Sequence, residues 1–303
     1  MPNILCVGQA VQDFVFGVDE VPDRAEKFRA DRFEAVGGGP AATAAVAITR
    51  LGGGASVAVR LGDDGVADLI VAELEGYGVD CRLMRRFAGC ASSLSAVILD
   101  GKGERLIVNY LDKALPSDAG WLPDVLPEGT GAVLADTRWP DGAGAMLALA
   151  KAAGLPAVLD GDRPVPKDTD FLRAASHLAF SAEGLQDFSG SGDHEASLGR
   201  VADETGAWCC VTLGAGGVFY VSGEETGTVP AFPVVPVDTL GAGDVWHGAF
   251  TLALAEGQGE VNAVRFASAV AALKVQRFGA RAGTPKRGEV ETFLSEHSMA
   301  GDE

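Results

Sequence analysis

Short apolar runs alternate with stretches of helical periodicity along most of the chain, and this alternation constrains the fold more than any other feature. The runs that predict buried strands are residues 4–7, 56–61, 132–135, 157–159, 177–180 and 209–213. The stretches that predict helices are residues 41–51, 65–77, 142–152, 195–205, 245–255, 261–275 and 289–296. Strands separated by helices pair in parallel, with helices on both faces and ligands at the carboxyl ends of the strands. The sequence therefore predicts an α/β fold with a mostly parallel central sheet, formed as one unit over residues 1–303.

Two stretches, at about residues 13–35 and 92–112, interrupt this alternation. The first contains a run at 28–36 in which apolar and polar residues alternate. The second contains runs at 94–99 and 105–110 on either side of Asp100-Gly101-Lys102-Gly103, a typical hairpin signal. We expect these stretches to form a small sheet that stands beside the main one.

Charge and cysteine content exclude several classes of protein. The formal net charge is −18 over 303 residues, which argues against a nucleic-acid partner because neutralising phosphates requires clustered Lys and Arg. The five cysteines are odd in number and lack CxxC spacing, as expected of reduced thiols in a cytoplasmic protein. Neither a secretory signal nor a membrane span is visible.

The stretch DTLGAGDVWHGAF, at residues 238–250, carries the clearest chemical signal. A tight Gly241-Ala242-Gly243 turn that opens a helix leaves backbone N–H groups unpaired, and such groups bind anions. Asp244 at this turn suits a base that takes a proton from a hydroxyl attacking a phosphoryl group. The alternative is a glycine-rich turn with Asp244 as an ordinary helix cap. We interpret His247, one turn later, as a packing residue.

Other catalytic motifs are absent from the sequence. It contains no GxxxxGK[ST] and no HExxH or GxSxG, and its N-terminal unit has no GxGxxG between a strand and a helix. P-loop, zinc-protease, serine-hydrolase and dinucleotide-binding chemistry are therefore disfavoured.

The stretch at 238–250 resembles the C-terminal signature of the ribokinase-like (PfkB) sugar kinases. Gly37-Gly38-Gly39 before an Ala-rich helix resembles their N-terminal signature, and TLG at 212–214 with Gly217 resembles their nucleotide-side turn. The resemblance covers nearly the whole chain. It implies a three-layer sandwich whose two interrupting stretches form a lid over the sugar, often the dimer contact in this family.

The resemblance also implies roles for individual residues. Asp244 would be the base, and the backbone amides of Gly241, Ala242 and Gly243 would hold the transferred phosphoryl group. The implied sugar-binding residues are Asp13, Gly38 and Gly39. The implied nucleotide-binding residues are Thr212, Gly214 and Gly217 with the region at 271–279, which includes Gly279. ATP and Mg²⁺ are the expected cofactors, because a metal must neutralise the phosphate oxygens; a monovalent cation is a further candidate.

Two positions depart from the family pattern. The family usually has an asparagine in the Ala-rich helix where this chain has Thr43, which suggests an altered sugar site. It also usually carries Asn-x-x-Glu after a late strand. The matching segment here begins at Ser181, and Glu183 takes the place of the glutamate at a shifted position, beside the nucleotide and its metal.

Three residues bear on the far end of the sugar: Lys27, Asn109 and Arg138. Together they could bind a tetrahedral anion, with a forked contact from the arginine. Their segments, with GGGPAATAAVA at 37–47, resemble the branch that phosphorylates 6-deoxy-6-sulfofructose at its 1-hydroxyl. The alternative is a surface lysine, a water-facing asparagine and a salt-bridged arginine.

The sequence thus predicts a cytoplasmic, homodimeric sugar kinase with an anionic substrate. The rivals are a kinase of the same fold acting on fructose, fructose 6-phosphate or a keto-deoxy sugar acid, a nucleoside kinase, and a non-catalytic regulator that binds sugar or nucleotide.

Overall fold

A computed structural model of the chain describes residues 1–101 and 104–298. Its strands are β1 (Asn3–Gly8), β2 (Val11–Gly17), β3 (Arg32–Gly38), β4 (Gly54–Gly62), β5 (Asp80–Phe87), β6 (Leu94–Leu99), β7 (Arg105–Tyr110), β8 (Thr130–Asp136), β9 (Ala157–Gly161), β10 (His177–Ser181), β11 (Trp208–Thr212), β12 (Val218–Ser222) and β13 (Glu225–Val229). Its helices are α1 (Pro40–Arg50), α2 (Gly65–Gly76), α3 (Pro140–Ala152), α4 (Thr169–Arg173), α5 (Ala182–Ser189), α6 (His194–Thr205), α7 (Ala242–Ala255), α8 (Glu260–Val275) and α9 (Arg287–Ser298).

The strands form one large sheet and one small sheet. The large sheet has the order β13-β12-β11-β10-β9-β8-β1-β4-β5 and is parallel from β11 to β5, with β12 and β13 added antiparallel at one edge. The small sheet has the order β3-β2-β6-β7, in which β2 and β6 run parallel and the outer pairs antiparallel.

Helices cover both faces of the large sheet. One apolar core lies between the sheet and α1, α2, α7 and α8, where the small side chains of α1 allow close packing. The other lies between the sheet and α3, α4, α5 and α6. This confirms the predicted three-layer sandwich with a mostly parallel central sheet.

The order of the strands places a crevice between β1 and β8. From β1 the sheet grows through β4 to β5 on one side, and from β8 through β9 and β10 on the other. In open α/β sheets, ligands bind at such a switch point, outside the carboxyl ends of the strands. Because β2 and α1 follow β1 along the chain, the small sheet and the start of α1 lie beside this crevice.

The interrupting stretches form the small sheet as predicted, with different bounds. The strand predicted at 28–36 begins only at Arg32. The hairpin of β6 and β7 is confirmed, while Lys102 and Gly103 of its turn lie outside the described residues.

The sequence analysis missed β5, β13, α4 and α5. The missed strands are polar edge strands: β5 carries Arg82, Arg85 and Arg86 at the sheet margin. Within the described ranges, no helix is long and apolar enough to cross a membrane.

Candidate active site

The N-terminus of α7 presents free backbone donors beside the crevice. Gly241 precedes the helix in the left-handed conformation (φ 70°, ψ 10°), and its carbonyl accepts the first helical bond from the Val245 N–H at 3.0 Å. The Ala242 N–H donates to Thr239 within the turn at 3.2 Å. In the part of the chain that the structure describes, the N–H groups of Gly243 and Asp244 have no acceptor. Of the three predicted donors, only the Ala242 N–H is engaged within the turn; those of Gly241 and Gly243 have no acceptor among the described residues.

Asp244 lies in the first turn of α7 and remains partly exposed. The loss of hydration on burial raises the pKa of its carboxyl to about 7, and the nearby negative charge of Asp160 contributes in the same direction. The electrostatic interaction with His247 lowers the pKa of Asp244 and so partly opposes this rise. A carboxylate with a pKa near neutrality is well matched to accept a proton from an alcohol.

His247 fixes this turn against the sheet. Its ring is buried, with Nδ1 at 2.8 Å from the Gly243 carbonyl oxygen and Nε2 at 3.1 Å from that of Ala179 in β10. Nδ1 also lies 3.5 Å from the Asp160 carboxylate. The predicted packing residue thus holds the carbonyl immediately before the candidate base, and Asp160 is a site residue that sequence reasoning missed.

The structure brings together Asp13, Gly38 and Gly39, the three implied sugar-binding residues. A Cβ atom on Gly38 would lie 2.3 Å from Asp13 Oδ2, and one on Gly39 would lie 2.6 Å from the carbonyl oxygen of Gln9. Both glycines therefore permit a close approach at the start of α1. Burial raises the pKa of Asp13, while a hydrogen bond from Ser95 and the positive charge of Arg281 lower it.

Asn109 lies in the same cross-strand row of the small sheet as Asp13. Ser95 on β6 pairs with Asn109 on β7 and with Asp13 on β2. The Asn109 Nδ2 atom donates to Ser95 Oγ at 2.8 Å. Because paired residues point to the same face, the amide and the carboxylate share one face of the small sheet. Asn109 is also exposed, so the structure agrees with its water-facing alternative, although its amide has one partner within the sheet.

Asp136 organises the crevice and was missed as a site residue. Its buried carboxylate accepts the N–H groups of Gln9 at 2.8 Å, Ala41 at 3.1 Å and Arg138 at 2.8 Å. One side chain at the end of β8 thereby fixes the end of β1 and the start of α1. Its position at the end of a buried strand was the available sequence signal.

Arg138 and Lys27 are not joined to Asn109 by any contact in the described ranges. The Arg138 guanidinium pairs with Asp162 at 2.9 Å and donates to the Arg163 carbonyl. Lys27 is exposed in the segment between β2 and β3. The structure therefore gives Arg138 the salt bridge that was its alternative interpretation, and it brings Asn109 but not Lys27 into the row of Asp13.

Thr43 meets a buried cation from the far end of the chain. Arg281 is only 3% exposed; its Nε donates to Thr43 Oγ1 at 3.3 Å and its Nη2 to the Gly38 carbonyl at 2.6 Å. Nη1 lies 3.2 Å from the Glu73 carboxylate. No sequence pattern pointed to Arg281, because the predicted nucleotide region at 271–279 ends just before it.

The predicted nucleotide residues follow the carboxyl ends of neighbouring strands. Ser181 and Thr212 are paired at the ends of β10 and β11. The hydroxyl of Ser181 caps α5 by accepting the Gly184 N–H at 2.9 Å and donates to Asp162 at 2.9 Å. Gly214 and Gly217 form the short turn between β11 and β12.

The other two nucleotide residues lie on helix and loop ends. Gly279 lies in the loop after α8, where its N–H donates to Asp238 at 3.0 Å. Glu183 is exposed in the first turn of α5. Over the described ranges, no group of three or more His, Cys, Asp or Glu side chains could hold a metal ion.

Free backbone N–H groups at a helix start, a carboxyl whose pKa is raised to about 7 and a switch point in the sheet are features that a phosphotransferase acting on alcohols would use. The family model for pfkB family carbohydrate kinases matches residues 1–287. The chain belongs to this family, and is thus a carbohydrate kinase.

Curated relatives of this chain include ribokinases and fructokinases. The ribokinase of Bacillus subtilis is 29% identical over 317 residues, which cover 97% of this chain and 100% of the relative. A fructokinase of Solanum tuberosum is 28% identical, with coverage of 96% and 95%.

Solved structures agree with the fold. A crystal structure of a protein provisionally assigned as a ribokinase from Agrobacterium tumefaciens has a TM-score of 0.91 at 34% identity, covering 98% of this chain and 99% of that one. Arabidopsis thaliana ribokinase complexed with ribose and ATP has a TM-score of 0.82 at 24% identity, covering 97% and 98%. The predicted fold class and enzyme class are confirmed.

Proposed function

We propose that this carbohydrate kinase transfers the γ-phosphoryl group of ATP to the 1-hydroxyl of 6-deoxy-6-sulfofructose. Family membership makes the chain an ATP-dependent sugar kinase; the particular sugar and its reacting hydroxyl are the proposal. The observation that carries it is the row of Asp13, Ser95 and Asn109 on one face of the small sheet, beside Gly38. This row offers a carboxylate for sugar hydroxyls and an amide further out for an anionic group.

In this proposal, each residue of the crevice has a separate role. Asp13 and the backbone at Gly38 and Gly39 bind the sugar hydroxyls. Asp244 accepts the proton of the attacking hydroxyl, and the N–H groups of Gly243 and Asp244 hold the transferred phosphoryl group. A Mg²⁺ ion bound to the phosphates would neutralise their charge. Glu183 is the candidate protein ligand for this ion.

The nucleotide is proposed to lie along the ends of β10 and β11. Ser181 and Thr212 are neighbours there, and the open turn at Gly214 and Gly217 follows. The loop at Gly279 closes the other side. In this arrangement the γ-phosphate reaches the start of α7, because the His247 contact with Ala179 brings that helix next to β10.

The sulfonate is proposed to bind Arg138, Asn109 and Lys27. Arg138 follows Asp136 at the switch point, so its guanidinium can exchange part of its contact with Asp162 for a substrate anion. Lys27 lies in an exposed segment between two strands of the small sheet, which would close over the sugar as a lid. An anionic substrate needs such a cationic pocket because the chain as a whole is strongly negative.

A neutral sugar is the second candidate. The named relatives are ribokinases and fructokinases. Asp162 already balances the charge of the Arg138 guanidinium, so that charge does not require a substrate anion. The neutral candidates are therefore ribose and fructose, while fructose 6-phosphate and a keto-deoxy sugar acid remain as other anionic candidates.

A panel of these sugars, assayed for sugar-dependent ADP release, tests the proposal. We expect the highest kcat/KM with 6-deoxy-6-sulfofructose, and a loss of about tenfold or more in Arg138→Ala that is specific to this sugar. The matched control is Arg82→Ala, which removes an arginine ion-paired with Asp80 on β5. An equal loss of activity towards fructose in Arg138→Ala would contradict the sulfonate role. Sugar and nucleotide binding without ADP release would instead indicate a regulator.

We further propose a homodimer formed through the small sheet. Phe33 on β3 and Val108 on β7 are 56% and 59% exposed. By register, both point to the face opposite Asp13 and Asn109. A second copy of the chain would cover this apolar face. Light scattering on the wild type and on Val108→Lys tests this, and a monomeric wild type would contradict it.

A further inference from the structure

The side chain of Lys274, in the last turn of α8, is fully buried. Its exposed fraction is 0%, and its ammonium donates to the backbone carbonyl of Asp238 at 2.8 Å. The same nitrogen lies 3.6 Å from the Asp238 carboxylate. Removing an ammonium from water is costly unless it is paired and hydrogen-bonded, and Asp238 supplies both the hydrogen bond and the opposite charge.

Asp238 connects the two loops that flank the start of α7. Its Oδ1 accepts the Leu240 N–H at 2.9 Å, and its Oδ2 accepts the Gly279 N–H at 3.0 Å. The N–H of Asp238 donates to the Val275 carbonyl at 3.0 Å. The ammonium of Lys274 therefore supports, through one aspartate, both the turn before Gly241 and the loop that contains Gly279.

Backbone carbonyl and carboxylate oxygens are also the ligands that hold monovalent cations such as K⁺. A monovalent cation is one of the cofactors expected from the sequence. At these loops, however, the oxygens of Asp238 already face an ammonium that the chain itself supplies. A carbonyl and carboxylate pair that contacts a covalently tethered cation does not fit a further free cation.

We propose that Lys274 is a built-in monovalent cation that positions the anion-binding turn of α7, so that turnover requires no soluble K⁺. Lys274 is a positioning residue, because it acts through Asp238 and the loop rather than on substrate. The proposal rests on the proposed role of the turn at 241–244 and is independent of which sugar is phosphorylated.

The wild-type enzyme provides the first test. ADP release is measured with the best sugar of the panel in buffers that contain K⁺, Na⁺ or tetramethylammonium as the only monovalent cation. We expect rates within about twofold of one another. Activation by K⁺ of fivefold or more would overturn the proposal.

Lys274→Ala provides the second test, because it removes the ammonium and leaves a space lined by oxygens. We expect kcat to fall by about 100-fold, with a smaller change in the KM for the sugar, and K⁺ or NH₄⁺ to restore at least a tenth of the lost rate. Tetramethylammonium, which is too large, should restore none. Loss of kcat without rescue by either small cation would contradict the proposal.

The matched control is Lys151→Ala. Lys151 also ends a helix and donates to two backbone carbonyls, those of Arg173 at 2.8 Å and Ala175 at 3.0 Å, in another part of the structure. Its loss should not create a dependence on K⁺. If the enzyme phosphorylates none of the panel sugars, the proposed function fails, while thermal unfolding still tests Lys274: K⁺ should raise the melting temperature of Lys274→Ala and not that of the wild type.

Discussion

The Arg281 guanidinium donates a hydrogen bond to the hydroxyl of Thr43, at 3.3 Å, across 238 positions of sequence. Arg281 also donates to the Gly38 carbonyl, so the C-terminal loop is fixed to the segment proposed to bind the sugar. The family usually has an asparagine at the position of Thr43. The structure places Thr43, the position at which an altered sugar site was predicted, in contact with this buried arginine.

Arg281→Ala tests whether this pair shapes the sugar site. We expect the KM for the sugar to rise by about tenfold or more with little change in the KM for ATP, because Gly38 and Thr43 lie on the sugar side. Removing one partner of a buried ion pair costs about 3 to 5 kcal/mol, so the variant should also unfold at lower denaturant concentration. Steady-state kinetics and denaturant unfolding measure both effects.

Arg281→Lys separates the two effects. A lysine keeps the charge beside Glu73 but cannot make the forked contacts with Gly38 and Thr43. We expect its stability to lie closer to wild type while the KM for the sugar stays raised. An equal rise in the KM for the sugar and in the KM for ATP would instead assign Arg281 a general structural role.

The acid limb of the pH–rate profile should report Asp244. Its pKa is raised to about 7, and a base must be unprotonated, so kcat/KM should increase with pH through that region. Asp160→Asn removes a neighbouring carboxyl that raises this pKa, and the limb should move to lower pH by up to about one unit. Asp203→Asn, an exposed acid on α6, is the control and should leave the profile unchanged.

Asp244→Asn should lower kcat by about 10² to 10⁴ while stabilising the fold at alkaline pH. Because the folded-state pKa of Asp244 lies above its unfolded value, the native state holds the proton more tightly between about pH 4 and 7. The wild type therefore loses stability as the pH rises through that window. The variant has no ionisable group at position 244, so its stability does not fall for this reason. Its melting temperature should exceed that of the wild type by more at pH 8 than at pH 5.

Asp141→Asn is the matched control for this stability effect. Asp141 lies in the first turn of α3 and is exposed, where a negative charge favours the helix. Its replacement should slightly lower the melting temperature at pH 8. Gly241 is the N-cap of α7, so a similar decrease in Asp244→Asn would show that Asp244 acts only as a first-turn acid that stabilises the helix.

Local patterns predicted the fold because the central strands of the large sheet and the long helices that cover it each carry their own signal. The turn at Gly241 and Gly243 was predictable for the same reason, because its geometry depends on residues adjacent in sequence. The edge strand β5 was missed because its arginines face solvent, and apolar periodicity is weakest where a strand is least buried.

Contacts between distant segments were not predictable. Asp136 meets Gln9 and Ala41, and Lys274 meets Asp238, only after the sheet has brought their loops together. A single sequence also cannot show that Arg138 pairs with Asp162, since both follow strand ends and either could face a ligand. The pKa of Asp244, on α7, likewise depends on Asp160, which lies on β9.

Gly38→Ala should weaken sugar binding with little effect on the fold. Gly38 ends β3, and the atom that its new Cβ would displace is Oδ2 of Asp13, the end of a side chain that can rotate. The carboxylate would then move away from its position beside α1. We expect the KM for the sugar to rise by about tenfold, an unchanged KM for ATP, and a melting temperature within about 2 °C of the wild type. The matched control, Gly65→Ala at the start of α2, adds a methyl group into open space and should change none of these values. A wild-type KM for the sugar in Gly38→Ala would show that Asp13 does not bind the substrate from this position.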